Sequence, residues 1–182
     1  MLNLQALVDK PTLVGERVRL VPLDASHAPA MFAGVNDPEV RRFTGTHRVF
    51  TFEDVEKYSA SRPEQTDRVD LAVLRAEDGK VLGDIVLNDL DADNLTMGFR
   101  IALIAEQGKG YGTEATRLLL RYAFDVIGLH RVELEVFDFN PRAIASYRKC
   151  GFVEEGRLRE ALLWEGRWHD ALLMGVLRTD NI

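Results

Sequence analysis

The order of apolar and polar residues predicts several strands in the first half of the chain. Residues 16–23 alternate between apolar and polar positions, as a half-buried strand does. Apolar-rich runs at 70–76 and 80–87 are joined by Glu-Asp-Gly, a sequence that favours a hairpin turn. A polar turn cluster at 89–94 then precedes another predicted strand at 95–103. The middle of the chain is therefore predicted to form an antiparallel meander.

Capping residues predict three helices between the first strand and the meander. Asp24 or Ser26 offers a side-chain oxygen to the free N–H groups of the first helix. Pro38 suits the first turn of a short helix that ends at Phe43. Thr51 caps a third helix, which ends near residue 61. The predicted order is thus a strand, helices and three strands.

Beyond the meander, the apolar spacing changes from a strand period to a helix period. Apolar residues recur at helical spacing from Ala115 to Ala123, and Gly128 is predicted to end this helix. The remaining predicted elements are a strand at 130–139, a helix from Pro141 to Gly151, and closing strands at 152–161 and 168–177. This order predicts one α+β domain over residues 1–182, with a core from about residue 13 to about residue 180.

The composition suits one folded domain and argues against several classes of function. The chain has 182 residues, 46% of them hydrophobic and 29% charged, with a formal net charge of −6. This acidic balance argues against a nucleic-acid partner and suits a cationic amine substrate. Cys150 is the only cysteine, so no intramolecular disulfide can form and a reducing compartment is favoured. With no basic leader and no run of about 20 apolar residues, we expect a cytoplasmic protein that does not span a membrane.

Three alternating glycines stand where a predicted strand gives way to a helix. Gly108, Gly110 and Gly112 lack β-carbons, so a ligand can approach the backbone closely. The free N–H groups at the helix start would converge on a diphosphate, and Lys109 adds a mobile positive charge. A P-loop is excluded because Thr-Glu, rather than Lys-Ser/Thr, follows Gly112, and the βαβ unit of a dinucleotide fold is absent. A loop that only turns the chain is the remaining alternative.

Two motifs in this order resemble the GNAT superfamily of N-acetyltransferases. Residues 107–112 match its signature Gln/Arg-x-x-Gly-x-Gly/Ala within the run Gln107-Gly108-Lys109-Gly110-Tyr111-Gly112-Thr113. Residues 140–152 match its second block, Asn-x-x-Ala-x-x-x-Tyr-x-x-x-Gly-Phe. The tail at 151–178 resembles the branch of ribosomal-protein-alanine and spermidine acetyltransferases.

This resemblance implies a mixed, splayed sheet of about seven strands flanked by about four helices. It also implies direct transfer of an acetyl group from acetyl-CoA to a primary amine, with no metal. The pantetheine arm is implied to lie between the strands at 95–103 and 130–139, against backbone groups of Ile101 and Leu103. The diphosphate is implied to bind the backbone amides of Gly108 to Thr113, and Gln107 is implied to belong to the cofactor-binding set.

The second block supplies the candidate catalytic residues. Tyr147 is implied to be the general acid, because a phenol can protonate a departing thiolate; packing against Phe152 is the alternative. Asn140 can cap the following helix, hold the pantetheine, or both. Arg142 and Lys149 are candidate contacts for the CoA phosphates, although exposed basic residues on a helix are commonly only solvated.

The general base is not fixed by the sequence. Related enzymes often carry Glu near the start of the strand at 95–103, where this chain has Met97. Glu135 and Asp84 are substitutes, but both are equally compatible with solvent-facing strand positions, and a water chain needs no named residue.

The acceptor amine also stays open. The resemblance favours a protein N-terminus, with a polyamine or an aminoglycoside as alternatives, and loops 44–49 and 164–168 are expected to select it. Trp164 and Trp168 are compatible with a substrate cleft, a homodimer contact or simple hairpin packing. A CoA-binding sensor or interaction module without turnover is the rival outside enzymes. The four histidines show no metal-ligand spacing, so no metal site is expected.

Overall fold

A computed structural model describes residues 1–180 and residue 182. Its described strands form one sheet with the spatial order β1-β2-β3-β4-β5-β6-β8-β7. The strands are β1 (Leu13–Val14), β2 (Val18–Pro22), β3 (Val69–Arg75), β4 (Val81–Asp91), β5 (Thr96–Leu103), β6 (Arg131–Phe137), β7 (Val153–Trp164) and β8 (Arg167–Leu177). Neighbouring strands are antiparallel except β5 and β6, which are parallel. The sheet is therefore mixed, as predicted.

The helices of the described chain are α1 (Gln5–Asp9), α2 (Ala28–Val35), α3 (Pro38–Thr44), α4 (Phe52–Ser61), α5 (Tyr111–Arg121) and α6 (Pro141–Lys149). A 3₁₀ turn at Ala25–His27 precedes α2, and a π-helical segment at Tyr122–Ile127 continues α5. Among the described residues, every helix is too short or too polar to cross a membrane.

Capping side chains fix where two helical segments begin, and a glycine fixes where another ends. Thr51 Oγ1 accepts the N–H of Asp54 at 3.1 Å, and Asp54 Oδ2 accepts the N–H of Thr51 at 2.9 Å, which forms a capping box at the start of α4. Asp24 caps the 3₁₀ turn before α2. Gly128 adopts a φ of 86° and ends the π-helical segment. These three features confirm the boundaries predicted from sequence.

The sheet separates two layers of helices. On one face α1, α5 and α6 cover the larger core, to which Leu71, Ile85 and Val132 contribute. On the other face α2 and α4 cover a smaller core around Met31 and Ala72. Successive residues of β3 enter different cores, because side chains of a strand alternate between the two faces of a sheet.

The parallel strands β5 and β6 diverge soon after they meet. Three residue pairs connect them in the described chain: Thr96 with Arg131, Met97 with Val132, and Gly98 with Glu133. Beyond Gly98, β5 continues to Leu103 and β6 to Phe137 without further pairing in this part of the structure. The predicted splay between these strands is therefore confirmed, and it opens a cleft in the sheet.

The fold class and element order are as predicted, but the described chain has eight strands and six α-helices, more than the prediction. Relative to the seven strands and five helices that caps and apolar spacing predict, the additional elements are β1 with two residues and α1 with five. Such short segments are below the length at which apolar spacing distinguishes a strand from a helix. The prediction also ended β4 at residue 87, whereas the strand continues through an irregularity to Asp91.

Candidate active site

A cleft of about 850 Å³ occupies the gap between β5 and β6. Residues of α5 and α6 border it on the face of the larger core, which we call the α5 side. Residues of α3, including Val40 and Phe43, border it on the opposite face, which we call the α3 side. A passage through the sheet therefore connects two surfaces, and two substrates can meet within it.

The backbone at the start of α5 is open to a ligand. Gly108 and Gly110 adopt φ values of 80° and 86°, in the left-handed region that favours glycine. In the described structure no atom lies within 4 Å of the position that a β-carbon on Gly108 would take. Gly112 differs, since a β-carbon there would lie 3.3 Å from Leu103 Cδ1, so this glycine lets α5 approach β5. An uncovered helix N-terminus fits the diphosphate of CoA.

An acidic residue that the sequence motif does not include fixes the loop before this helix. Glu106 Oε1 lies 2.7 Å from Arg75 Nη1 and 2.9 Å from Lys80 Nζ. Its other oxygen, Oε2, lies 3.2 Å from Lys109 Nζ. Hydrogen bonds from Lys80 and Lys109 lower the pKa of Glu106 to about 2. Lys109 is therefore engaged in an ion pair rather than free to meet a diphosphate.

Gln107 closes the turn between β5 and α5. Its Nε2 donates a hydrogen bond to the backbone carbonyl of Leu103 at 2.8 Å. Ile101 and Leu103 both line the cleft, on the part of β5 that β6 leaves unpaired in the described chain. The Leu103 carbonyl is already bound, so the backbone left for a pantetheine arm is its amide and the groups of Ile101.

Arg17 lies at the rim of the glycine turn, although it is distant in sequence. A β-carbon on Gly110 would lie 3.3 Å from Arg17 Nη1, and the Arg17 guanidinium lies 4.6 Å from the centroid of the Tyr111 ring. The backbone N–H of Arg17 donates to Glu114 Oε1 at 2.9 Å. Its guanidinium forms no salt bridge with an acidic residue of the described chain. Near the glycine turn, Lys80 and Lys109 are paired with Glu106, whereas the Arg17 guanidinium has no acidic partner in the described chain.

Tyr147 is buried in α6 and still lines the cleft. Its side chain is 8% exposed, and its ring packs edge-on against Phe99 and Phe152, with centroid distances of 6.1 Å and 5.8 Å. Burial raises the pKa of the Tyr147 hydroxyl well above its ordinary value, so the group is protonated at neutral pH. Packing against Phe152 and access to the cleft are thus both present.

Asn140 caps α6, as predicted. Its Oδ1 accepts the N–H of Ala143 at 3.1 Å, and the residue also lines the cleft.

Arg142 and Lys149 of α6 line the cleft as well. The Arg142 guanidinium lies 5.7 Å from the centroid of the Phe43 ring, a contact that directs it towards α3. Thr113 Oγ1 lies 2.8 Å from Ser146 Oγ and joins the start of α5 to α6.

The candidate bases lie in different environments. Met97 is completely buried in the larger core. Asp84 is buried outside the cleft lining, with Oδ2 2.9 Å from Arg100 Nη2, and burial raises its pKa. Glu135 is exposed on β6 and lines the cleft. Asp89, which the sequence assigned to a turn, is exposed and also lines the cleft.

The described residues offer neither a metal site nor an activated thiol. No group of three or more His, Cys, Asp or Glu side chains among them is placed to hold a metal ion. Cys150 is buried, its Sγ donates to the Thr113 carbonyl at 3.5 Å, and burial raises its pKa to about 11. A protonated, buried thiol is a packing group, not a nucleophile.

Comparison with known proteins identifies the same kind of domain. A family model described as an acetyltransferase (GNAT) domain matches residues 17–153. The chain is 34% identical over 100 residues to spermidine N(1)-acetyltransferase of Vibrio cholerae, a match that covers 54% of this chain and 58% of that protein. It is 30% identical over 156 residues to human alpha/beta-tubulin-N-acetyltransferase 9, covering 78% of this chain and 75% of that protein.

The fold is also similar to that of a solved complex. The crystal structure of spermidine N-acetyltransferase from Vibrio cholerae in complex with CoA and spermine superposes with a TM-score of 0.83 at 25% identity. The superposition covers 91% of this chain and 98% of that one. The sequence match to the Vibrio cholerae enzyme spans little more than half of that protein, whereas the shared fold spans nearly all of the crystallised chain.

Proposed function

Because this chain belongs to the GNAT family of acetyltransferases, which use acetyl-CoA as co-substrate, we propose that it acetylates a primary amine of a polycationic acceptor. One observation carries this proposal: a single cleft joins the open helix start of α5, the hydroxyl-bearing Tyr147 and an acidic surface on the α3 side. Acetyl-CoA supplies the reactive thioester when it is bound. The protein's own residues bind, orient and move protons around it.

The α5 side suits the donor. The amides between Gly108 and Thr113 face outward at a helix N-terminus and hold the diphosphate. The unpaired edge of β5 at Ile101 and Leu103 holds the pantetheine arm by backbone hydrogen bonds. Arg17 adds the unpaired charge that Lys109 does not provide, because Lys109 is bound to Glu106. Arg142 and Lys149 of α6 line the same cleft, so donor affinity is assigned to backbone groups, Arg17 and these two cations.

Tyr147 serves as the general acid. Its hydroxyl stays protonated because the ring is buried between Phe99 and Phe152, and the residue reaches the cleft from α6. A proton held on a phenol at neutral pH can be given to a departing thiolate. Asn140 positions this helix through its cap and leaves its side-chain amide N–H groups for the donor.

The acidic lining of the α3 side favours a cationic acceptor. Glu39, Asp89 and Glu135 line the cleft and form no salt bridge with a cation of the described chain. Of the three arginines in the lining, Arg131 is neutralised by Glu133 and Glu155 and Arg100 by Asp84, whereas Arg142 of α6 is assigned to the donor. Surfaces of one sign attract and orient ligands of the other. An acceptor that carries charge beyond the reacting amine uses these carboxylates.

A polyamine is the acceptor that this lining supports best. Its charges are spaced along a flexible chain that fits a passage through the sheet, and the relatives named as spermidine acetyltransferases act on such a molecule. A protein N-terminus is the second candidate, supported by the tubulin-acetylating relative and by the tail resemblance. A basic peptide would use the same carboxylates, whereas a neutral one would not.

The test combines the purified protein, acetyl-CoA and a panel of acceptors: spermidine, an aminoglycoside, a basic peptide, a neutral peptide with a free N-terminus, and butylamine. We expect free CoA thiol to appear fastest with spermidine and slowest with butylamine. Preference for the neutral peptide would overturn the polycation assignment while leaving acetyl transfer intact. CoA binding by calorimetry without thiol release from any acceptor would instead identify a sensor without turnover.

A further inference from the structure

A β-bulge in β4 presents an aspartate at the point where β5 and β6 separate. The register of β4 and β5 pairs Asn88 with Gly98 and Asp91 with Thr96, so Asp89 and Leu90 together oppose Met97. Asp89 adopts a φ of 52°, an uncommon conformation for a residue other than glycine. Bulges and residues with such strain cluster beside active sites, where they redirect a side chain.

The redirected carboxylate lies over Gly98. A β-carbon on Gly98 would lie 3.5 Å from Asp89 Oδ2 and 3.1 Å from Asn88 Oδ1. Gly98 is the last residue of β5 that pairs with β6 in the described chain, so this carboxylate stands at the apex of the cleft. The neighbours of Gly98 in sequence, Met97 and Phe99, enter the larger core, so Gly98 itself faces the α3 side.

We propose that Asp89 is the general base that deprotonates the acceptor amine. This inference rests on the proposed function, because it assigns a role in the same acetyl transfer. The absence of a side chain on Gly98 leaves room for the acceptor nitrogen beside the carboxylate. Asn88 Nδ2 donates to Asp89 Oδ2 at 2.8 Å, which orients the carboxylate. A carboxylate oxygen has a second lone pair, so Oδ2 can also accept from the acceptor nitrogen.

The protons and bonds balance with Asp89 and Tyr147 as partners. Asp89 takes one proton from the acceptor ammonium and passes it to solvent, to which it is exposed. The freed nitrogen pair forms the bond to the acetyl carbon as the carbon–sulfur bond breaks, and the bonding pair leaves with sulfur. Tyr147 gives its proton to that sulfur, and the second proton lost from nitrogen restores the phenol. One proton per turnover is released.

The other carboxylates are less well placed for this step. Asp84 is buried against Arg100 and does not line the cleft. Glu133 pairs with Gly98 in the sheet, but its Oε2 lies 3.0 Å from Arg131 Nε. Glu135 lies two residues further along β6, beyond the last pair of the described strands. Among these carboxylates, Asp89 is therefore the one that lies at the apex of the cleft without a cationic partner in the described chain.

The variant Asp89→Asn tests this role with little disturbance of the fold. Asparagine tolerates the positive φ of this position and can still accept the hydrogen bond from Asn88. With spermidine as acceptor at neutral pH, we expect kcat to fall about 100-fold, the usual effect of losing a general base. The KM for spermidine should rise far less than kcat falls, because Glu39 and Glu135 still attract the acceptor, and the Kd of CoA by calorimetry should not change. Asp89→Glu should recover part of kcat.

Two controls separate a base from a charge that only attracts the acceptor. Asp93→Asn removes the same charge from the exposed turn after β4, outside the cleft lining, and should match the wild type. Trifluoroethylamine has a nitrogen that is already neutral at neutral pH, so the wild type and Asp89→Asn should acetylate it at similar kcat. With ethylamine, whose nitrogen is protonated, Asp89→Asn should be much slower than the wild type.

The outcomes distinguish this proposal from the proposed function. An active wild type with unchanged kcat in Asp89→Asn, or with a loss confined to KM, would overturn the assignment of Asp89 alone. An equal loss with ethylamine and trifluoroethylamine would do the same. A wild type that is inactive with every amine would refute the acetyl transfer itself.

Discussion

Gly98 and Glu133 form the last pair between the parallel strands β5 and β6 in the described chain. This pair sets the apex of the cleft, because the two strands separate immediately beyond it. On the α5 side of the apex lie the glycine turn and Tyr147, and on the α3 side lie Asp89 and Glu135. The site is thus a consequence of where one strand pairing stops.

The Tyr147→Phe variant tests the acid. Phenylalanine keeps the ring contacts with Phe99 and Phe152, so the fold and the Kd of CoA should be preserved. Loss of the hydroxyl should lower kcat about 100-fold. Steady-state kinetics with spermidine measures this, and calorimetry with CoA is the control. An unchanged kcat would leave Tyr147 as a packing residue only.

The pH profile of the wild type gives a second test of Tyr147. Burial raises its pKa above the ordinary tyrosine value of about 10, so the protonated acid is retained at higher pH than for an exposed tyrosine. Any loss of kcat on the alkaline side should therefore begin above about 10. A loss centred below that value that Tyr147→Phe shares would point to a different acid.

The sequence predicted the glycine turn before α5 and the Asn140 cap of α6 because local signals encode both. Alternating glycines before a helix, and an asparagine before a proline, are turn and cap chemistry that a short window reveals. The roles of Glu106 and Arg17 were missed for a different reason. Arg17 meets Glu114, 97 residues away, and Glu106 meets Arg75, 31 residues away. No pattern in one sequence pairs residues across such distances.

Arg17→Ala tests the donor contact that the sequence did not reveal. Losing an unpaired guanidinium beside the diphosphate should weaken CoA binding about tenfold, the usual value of a hydrogen bond to a charged group. Calorimetry with CoA and with dephospho-CoA should show the same loss for both. Arg19→Ala, an exposed arginine on β2, is the matched control. A loss seen only with CoA would assign Arg17 to the ribose phosphate instead.

Glu106→Gln tests the ion pairs that hold the glycine turn. Because Lys80 and Lys109 lower the pKa of Glu106 to about 2, its ionised form stabilises the folded state at neutral pH. The advantage of the wild type in free energy of unfolding should be full above the ordinary pKa of 4.5 and should decline as the pH falls towards 2. Urea unfolding at several pH values measures it. A difference that is independent of pH would contradict this account.

The Glu135→Gln variant tests whether Glu135 and Asp89 have different roles on the α3 side. If Glu135 attracts the acceptor and Asp89 takes its proton, this variant should raise the KM for spermidine several-fold, with kcat nearly unchanged. The effect should shrink at high salt, because screening weakens exposed charges. Glu77→Gln, in the exposed β3–β4 turn outside the cleft lining, is the control. A large fall in kcat would return Glu135 to the role of base.

The acceptor side was the part least accessible to sequence reasoning. Met97 lies near the strand position at which related enzymes often carry Glu, but its side chain is buried in the larger core. Asp89 reaches the site because β4 has one extra residue opposite Met97. A bulge of this kind has no signature in the composition or in the period of the apolar residues. The sequence therefore indicated the donor and left the base and acceptor open.

The most direct test of direct transfer is a single-turnover experiment that follows isotope-labelled acetyl by mass spectrometry in both the enzyme and spermidine. Direct transfer predicts that label appears on spermidine at the rate at which free CoA thiol appears, and that no labelled enzyme accumulates. Labelled enzyme that forms and decays before spermidine is acetylated would contradict it, and so would CoA binding with no label transferred to any amine of the panel.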